Sequence, residues 1–275
     1  MNAIIVDGKT LANRILADVK DNVSKLRRAP RLRMIVAGEN PAIESFVRIK
    51  TLRAESVGIQ VSLDRFPDDV STKTLIESCE QGDEDALIVQ LPLPAHVDTD
   101  TVLSAIPLEK DVDVLSPIAY ARFEFGEPEA LVPPVALAVE AILSEYKISI
   151  TGKRVVVVGE GRLVGKPVAE WFSHRNALVE VVTLESGSLE KSLANAQIVV
   201  SGAGVPNLIT REIIQSGAVL IDAGTSESGG VLVGDIDPAC SEKATLLTPV
   251  PGGVGPVTVA CLIKNTLFLT RQRFA

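Results

Sequence analysis

Aromatic side chains are scarce in this sequence: they make up 4% of 275 residues, with one Trp, two Tyr and seven Phe. A core nearly without rings must be aliphatic, and a hydrophobic content of 46% supplies one. That composition excludes a disordered chain and fits parallel sheets covered by helices. Cysteine is also sparse. Cys79, Cys240 and Cys261 are far apart and odd in number, so they make neither a zinc spacing nor a disulfide framework, and a reducing cytoplasm is expected. His96 and His174 stand beside neither a cysteine nor a pair of carboxylates, so no metal site is expected. Positive charge is in deficit, with 27 Lys and Arg against 35 Asp and Glu for a net charge of −8. The cations are dispersed, which argues against a nucleic-acid partner. No apolar run is long enough to span a bilayer. "MNAIIVDGKTL" moves straight into a helical pattern, so no secretory leader is expected.

What the sequence has is alternation. Its length favours two domains. Leu11, Ile15, Leu16, Val19, Val23 and Leu26 recur at helical spacing. "RLRMIVAG" reads as a strand, "IESFVRIKTLRAESVG" as a helix stopped at Gly58, "IQVSLDRF" as a strand, "TKTLIESCE" as a helix and "ALIVQLPLP" as a buried strand. "DTDTVLSAI" is a short helix and "PLEKDVDVLSP" a charged loop. "FEFGEPEALVPP", rich in Glu, Pro and Gly, reads as the connection between domains. After the helix "VALAVEAILSEY", strands at "KRVVVVGEG", "LVEVVTL", "QIVVSG" and "AVLIDAG" alternate with helical patterns. That is the rhythm of a Rossmann-type dinucleotide-binding fold, so the class is α/β with parallel sheets.

Within "VVVVGEGRLVGKP", Gly159, Gly161 and Gly165 lie between a strand and a helix. Bare backbone at such a turn lets a pyrophosphate approach the helix N-terminus, where N–H groups and the macrodipole favour anions. The spacing, G-x-G-x-x-x-G, is one residue longer than the usual fingerprint. Glu160 lies inside the turn and Glu185 ends the next strand. An acid there accepts from ribose hydroxyls and repels a 2′-phosphate. Arg162, Lys166 and Arg175 are the counterweight, and the balance leans towards NAD over NADP.

A second group gathers around one lysine. Phe46 and Lys50 are four apart and share a helix face. Gln90 ends a parallel strand, the edge where α/β folds collect ligands, and Asp111 and Asp113 in "KDVD" belong near the same edge. A lysine, an amide and a carboxylate then converge on one pocket. Finally, "TPVPGGVGPVTVA" places a rigid, bare backbone before an apolar helix. Pro249 and Pro251 are expected to hold it extended, and Pro256 suits the helix's first turn.

Together "ILADVK", "GENPA", "FVRIK", "LIVQLPLP", "KDVDV", "RLVGKP", "GDID" and "TPVPGGVGPVTVA" resemble the methylenetetrahydrofolate dehydrogenase/methenyltetrahydrofolate cyclohydrolase family over nearly the full chain. The resemblance implies oxidation of 5,10-methylenetetrahydrofolate with NADP or NAD, then hydrolysis of the methenyl product to 10-formyltetrahydrofolate. It implies Lys50 and Gln90 as catalytic, with Phe46, Asp113, Pro251, Gly252 and Gly253 on the folate. Gly159, Gly161, Arg162, Gly165 and Glu185 fall to the cofactor. It further implies a cytoplasmic homodimer, a folate substrate with or without a polyglutamate tail, and a place in one-carbon metabolism and purine biosynthesis. One domain would comprise residues 1–130 with the C-terminal helix 256–275, the other residues 131–255, and a cleft would lie between them.

Departures from the family cluster at these contacts. The usual tyrosine is Phe46, the usual glycine after "DVD" is Val114, and the turn's arginine and serine are Glu160 and Gly161. Two alternatives stay open: a dehydrogenase of another small substrate, and a non-catalytic folate- or nucleotide-binding protein.

Overall fold

Strands and helices alternate along most of the chain, as the hydrophobic periodicity requires. The computed structural model describes residues 2–183, 185, 187–228 and 231–273. The chain runs β1 (Ile4–Ile5), α1 (Gly8–Val23), β2 (Arg31–Ala37), α2 (Pro41–Ser56), β3 (Gln60–Phe66), α3 (Thr72–Glu80), β4 (Ala86–Val89), α4 (Thr99–Ser104) and α5 (Pro117–Glu124). It continues with α6 (Pro134–Glu145), β5 (Arg154–Val158), α7 (Gly165–Ser173), β6 (Leu178–Val182), α8 (Leu189–Leu193), β7 (Ile198–Ser201) and β8 (Val219–Asp222). The hairpin β9 (Ser226–Ser228) and β10 (Val231–Val233), then β11 (Leu246–Leu247) and α9 (Val254–Arg273), complete it.

Two compact units result. The first comprises Asn13–Pro134 and Val259–Ala275. Its parallel sheet has the order β3-β2-β4. The central strand β2 buries Leu32, Met34, Ile35 and Val36, because a parallel strand covered on both faces must be apolar on both. Along α1 the predicted stripe holds, with Leu16, Val19 and Val23 buried. α2 ends where expected: Gly58 has φ +87°, and Ile59 N donates to Ala54 O at 3.1 Å, closing the last turn as a left-handed cap does. Strand order reverses between β2 and β4, so the carboxyl ends of these two strands flank a crevice suited to a ligand.

The second unit comprises Met1–Ala12 and Val135–Thr258. Its sheet, all parallel, has the order β1-β11-β8-β7-β5-β6. β7 and β8 are buried at every residue. Trp171 and Phe172 of α7 pack edge to face, with ring centroids 4.9 Å apart. Strand order reverses between β5 and β7, the dinucleotide-fold arrangement.

Three expectations need correction. Residues 1–12 join the second unit, because β1 pairs with β11 through Ile4 with Leu246 and Ile5 with Leu247. A two-residue strand carries no periodicity from which this could be read. The loop "PLEKDVDVLSP" is partly ordered, with a 3₁₀ turn at Leu108–Lys110 and buried Lys110 and Asp111. And α5, capped by Ser116 accepting from Ala119 N, begins at the last residue of that loop, Pro117, and runs into the predicted connection through Phe123 and Glu124. Among the described residues no helix is long and apolar enough to cross a membrane, and no group of His, Cys, Asp or Glu could hold a metal. All three cysteines are free and buried.

Candidate active site

Lys50 projects from α2 one turn beyond Phe46, and its Nζ donates to Gln90 Oε1 at 3.1 Å. The same Nζ lies 3.8 Å from Asp113 Oδ2. Gln90 follows β4 directly and extends its pairing, with its N bonded to Ile35 O at 2.9 Å. Its Nε2 donates to Leu91 O at 2.8 Å. That bond commits the amide nitrogen and turns the carbonyl oxygen towards the lysine. Three segments far apart in sequence thus meet at the carboxyl end of β4, the position at which a ligand of such a sheet is expected. Phe46, on the same helix, is 40% exposed and so remains available to a flat ligand.

The loop bearing Asp113 is held from below. Asp111 is buried and accepts from Leu115 N at 3.1 Å and Ser116 N at 2.7 Å. Burial pushes its carboxyl above the usual range. Its role is therefore to shape the loop, and of the two acids in "KDVD" only Asp113 meets the lysine. Asn265 of α9, also buried, donates to Val112 O at 3.2 Å and Val132 O at 3.1 Å. Neither role was assigned from sequence. A lone asparagine inside "CLIKNTLFL" was the available signal, since a buried amide needs specific partners.

Val114, immediately after Asp113, has φ +58° and is buried. A left-handed conformation is strained for a β-branched residue, by about 1–2 kcal/mol or more. We therefore expect an inverted order of stability. Val114→Gly, although it deletes more atoms, should unfold at a urea midpoint no lower than that of Val114→Ala, because only glycine releases the backbone. A clearly lower midpoint for the glycine variant would show that the conformation carries no strain.

In the second unit, the turn between β5 and α7 contains the predicted glycines. Gly159 has φ +94°, and a Cβ there would come within 2.9 Å of Gly202 O. A Cβ on Gly165 would collide with the Gly159 carbonyl. These two positions demand glycine, whereas a Cβ at Gly161 would meet nothing within 4 Å. α7 begins at Gly165 with no side-chain cap on its N-terminus, which suits an anion. Arg162 and Lys166 are exposed at the turn, and Glu185 is exposed three residues past the end of β6. Arg175 is committed elsewhere: its guanidinium lies 4.1 Å above the Trp171 ring and bonds Glu140 Oε1 at 3.2 Å. The cradle therefore fits a dinucleotide.

The stretch Pro249–Gly253 is a turn rather than an extended strap. The Val250–Pro251 peptide is cis, Gly252 has φ +109°, and Gly253 N donates to Pro249 O at 2.8 Å. α1 starts against it, at Gly8, with Lys9 alongside Gly252.

Two buried carboxylates, Asp222 and Asp235, sit near this sheet's carboxyl edge. Asp222 accepts from Gly224 N (3.0 Å), Asp235 N (3.2 Å) and Ile236 N (2.8 Å). Burial nevertheless pushes its pKa up to about 6, with Asp235 adding to the effect. A carboxyl that binds its proton more tightly folded than unfolded stabilises the fold at low pH. That contribution is complete below about pH 4 and is lost as pH rises through about 6. The stability of the protein relative to Asp222→Asn should accordingly fall between pH 4.5 and 7, as measured by paired urea midpoints. A pH-independent difference would contradict the assignment.

Comparison with known proteins finds relatives over nearly the whole chain. The profile of "Tetrahydrofolate dehydrogenase/cyclohydrolase, catalytic domain" matches residues 6–113, and that of the "NAD(P)-binding domain" of the same family matches residues 133–274. The chain is 38% identical to "Bifunctional protein FolD" of Aquifex aeolicus over 282 residues, covering 99% of this chain and 97% of that one. Among solved structures, the N5,N10-methylenetetrahydrofolate dehydrogenase-cyclohydrolase of Trypanosoma brucei, complexed with NADP cofactor and inhibitor, superposes with a TM-score of 0.95. It is 34% identical, covering 100% of this chain and 99% of that one. The bifunctional methylenetetrahydrofolate dehydrogenase/cyclohydrolase of Campylobacter jejuni gives a TM-score of 0.95 at 31% identity, covering 98% and 99%.

Proposed function

Because the chain belongs to the tetrahydrofolate dehydrogenase/cyclohydrolase family, we infer that it oxidises 5,10-methylenetetrahydrofolate with NADP or NAD and hydrolyses the methenyl product to 10-formyltetrahydrofolate. The observation that carries the reading is the meeting of Lys50, Gln90 and Asp113 at one strand end.

The methenyl carbon belongs to an amidinium cation. Water attacks it, a carbon–oxygen bond forms, and Lys50 Nζ, in its amine form, takes the water's proton. The bond from that carbon to N5 then breaks with its electron pair going to N5. The remaining hydroxyl becomes the formyl C=O and its proton passes to N5. The formyl group stays on N10, and Lys50 gives the proton it took to solvent. Gln90 Oε1 holds one N–H of Lys50, which directs the lone pair to the water. Asp113 accepts from N–H donors on the pterin edge, and the Phe46 ring stacks beside the aminobenzoate. Phe46 brings no hydroxyl to this site, so lysine and amide act without one.

When bound, the nicotinamide supplies the hydride acceptor for the oxidation. The chain's part in that step is to hold and align. Gly159, Gly161 and Gly165 with the α7 N-terminus would receive the pyrophosphate, with Arg162 of the same turn as a neighbouring cation. Pro251, Gly252 and Gly253 offer a bare surface to a flat ring. Glu160 and Glu185 favour free ribose hydroxyls, and the engagement of Arg175 with Trp171 and Glu140 removes one cation that could have met a 2′-phosphate. NAD is therefore the preferred cofactor in this reading. The same reading takes the protein as a cytoplasmic homodimer acting on folates with or without polyglutamate tails and supplying formyl groups for purine biosynthesis.

The deciding assay is spectrophotometric, with methylenetetrahydrofolate and each nicotinamide in turn, and with methenyltetrahydrofolate alone. Reduction of NAD with higher kcat/KM than NADP, together with accelerated methenyl hydrolysis, is expected. Tight binding without either turnover would identify a non-catalytic binding protein instead.

A further inference from the structure

Asp235 is fully buried, yet the chemistry above makes no use of it. Its Oδ2 accepts from Ser201 Oγ (2.7 Å), Ala203 N (2.8 Å) and Gly204 N (3.2 Å), and its Oδ1 from Val205 N (2.9 Å). All four donors come from one segment, the end of β7 and the loop after it. Four converging N–H and O–H groups call for an acceptor with no donor of its own, which among side chains means an ionised carboxylate. Asp235 is in turn fixed by its own backbone, whose N donates to Asp222 Oδ1 and whose O accepts from Ile209 N at 2.9 Å.

The segment it grips has a particular position. β7 neighbours β5 where the strand order reverses, and ligands of open α/β sheets collect in the crevice at that point. Gly202 N donates to Val158 O at 2.9 Å, one residue before the glycine turn. Gly202 O faces Gly159, and a Cβ on Gly202 would overlap the Val164 side chain at the N-cap of α7. The segment is thus wedged against both ends of the phosphate turn and forms the opposite wall of its crevice. Two of its residues, Gly202 and Gly204, have no side chain with which to anchor it.

We propose that Asp235 is a positioning residue for the nicotinamide cofactor, fixing the 201–205 segment as the wall against which the cofactor is seated. This rests on the reading that the glycine turn holds NAD or NADP.

Asp235→Asn keeps the shape but turns an NH₂ group against backbone N–H donors, so the segment must shift. In the full-length protein, titration calorimetry with NAD and with NADP should show Kd rising about tenfold or more, a loss on the scale of one charge-assisted hydrogen bond. KM for the cofactor should rise in step, with kcat at saturation changed by less than about threefold. Hydrolysis of supplied methenyltetrahydrofolate, which uses no nicotinamide, should fall far less than oxidation. Ser201→Ala removes one donor of four and should raise the same Kd by about two- to fivefold. An unaltered Kd in folded Asp235→Asn overturns the proposal, as does a proportional loss of oxidation and hydrolysis. If Asp235→Asn fails to fold, Ser201→Ala decides, and an unaltered Kd there overturns it. Failure of the unmutated protein to bind either nicotinamide would instead overturn the cofactor reading itself.

Discussion

Lys50→Met should lower methenyltetrahydrofolate hydrolysis by about 10²–10⁴-fold, the range typical of removing a general base. Methionine keeps most of the side chain's length, but it has no basic nitrogen and cannot take the water's proton. The loss should be read as the decay of methenyl absorbance above the uncatalysed rate. Lys50→Arg should fail as well, since a guanidinium is protonated at any working pH and cannot take the proton. Oxidation of methylenetetrahydrofolate should fall less than hydrolysis in both variants, because hydride transfer depends mainly on alignment. Hydrolysis left intact in Lys50→Met would remove the lysine from the mechanism, whatever its distance from Gln90.

Gly165→Ala carries the second large effect. The added methyl meets the carbonyl of Gly159 and the backbone at Glu160. Neither is the end of a flexible side chain, so the turn itself must yield. Overpacking of this kind costs about 1–3 kcal/mol, and its release by moving the turn should raise the cofactor Kd by about tenfold or more. The ratio of oxidation to hydrolysis should drop accordingly. A variant with an unchanged Kd would show that the turn's conformation does not matter to the cofactor.

Much of this was legible before any coordinates. β5 and β8 are runs of branched aliphatic residues, and α1 and α2 have a helical stripe or a glycine stop. Such signals are local and strong. Lys50 could be named from the helix face it shares with Phe46, Gln90 from the end of its strand and Asp113 from the charged loop that follows, and the fold brings the three together. The rest depends on partners distant in sequence. Asp235 was given no role of its own within "GDID", and its four donors from 201–205 are brought to it only by the fold. Arg33, given no role within the strand "RLRMIVAG", is buried with Glu84, which also binds Lys110 at 3.1 Å. Val114 looked like a departure at a substrate contact, and its positive φ is a property of the backbone that only coordinates display. The turn at Pro251 was misread for the same reason.

The pairing of β1 with β11 bears on how the chain can be dissected. A fragment cut at the profile boundary, residues 133–274, would lack the edge strand β1 and leave the backbone groups of β11 unpaired on one side, a template for association with other chains. It would also lack Gly8 and Lys9, against which the Pro249–Gly253 turn is set. The nucleotide half therefore becomes a separable piece only when the first dozen residues are supplied with it, either grafted by a linker or added in trans as a peptide.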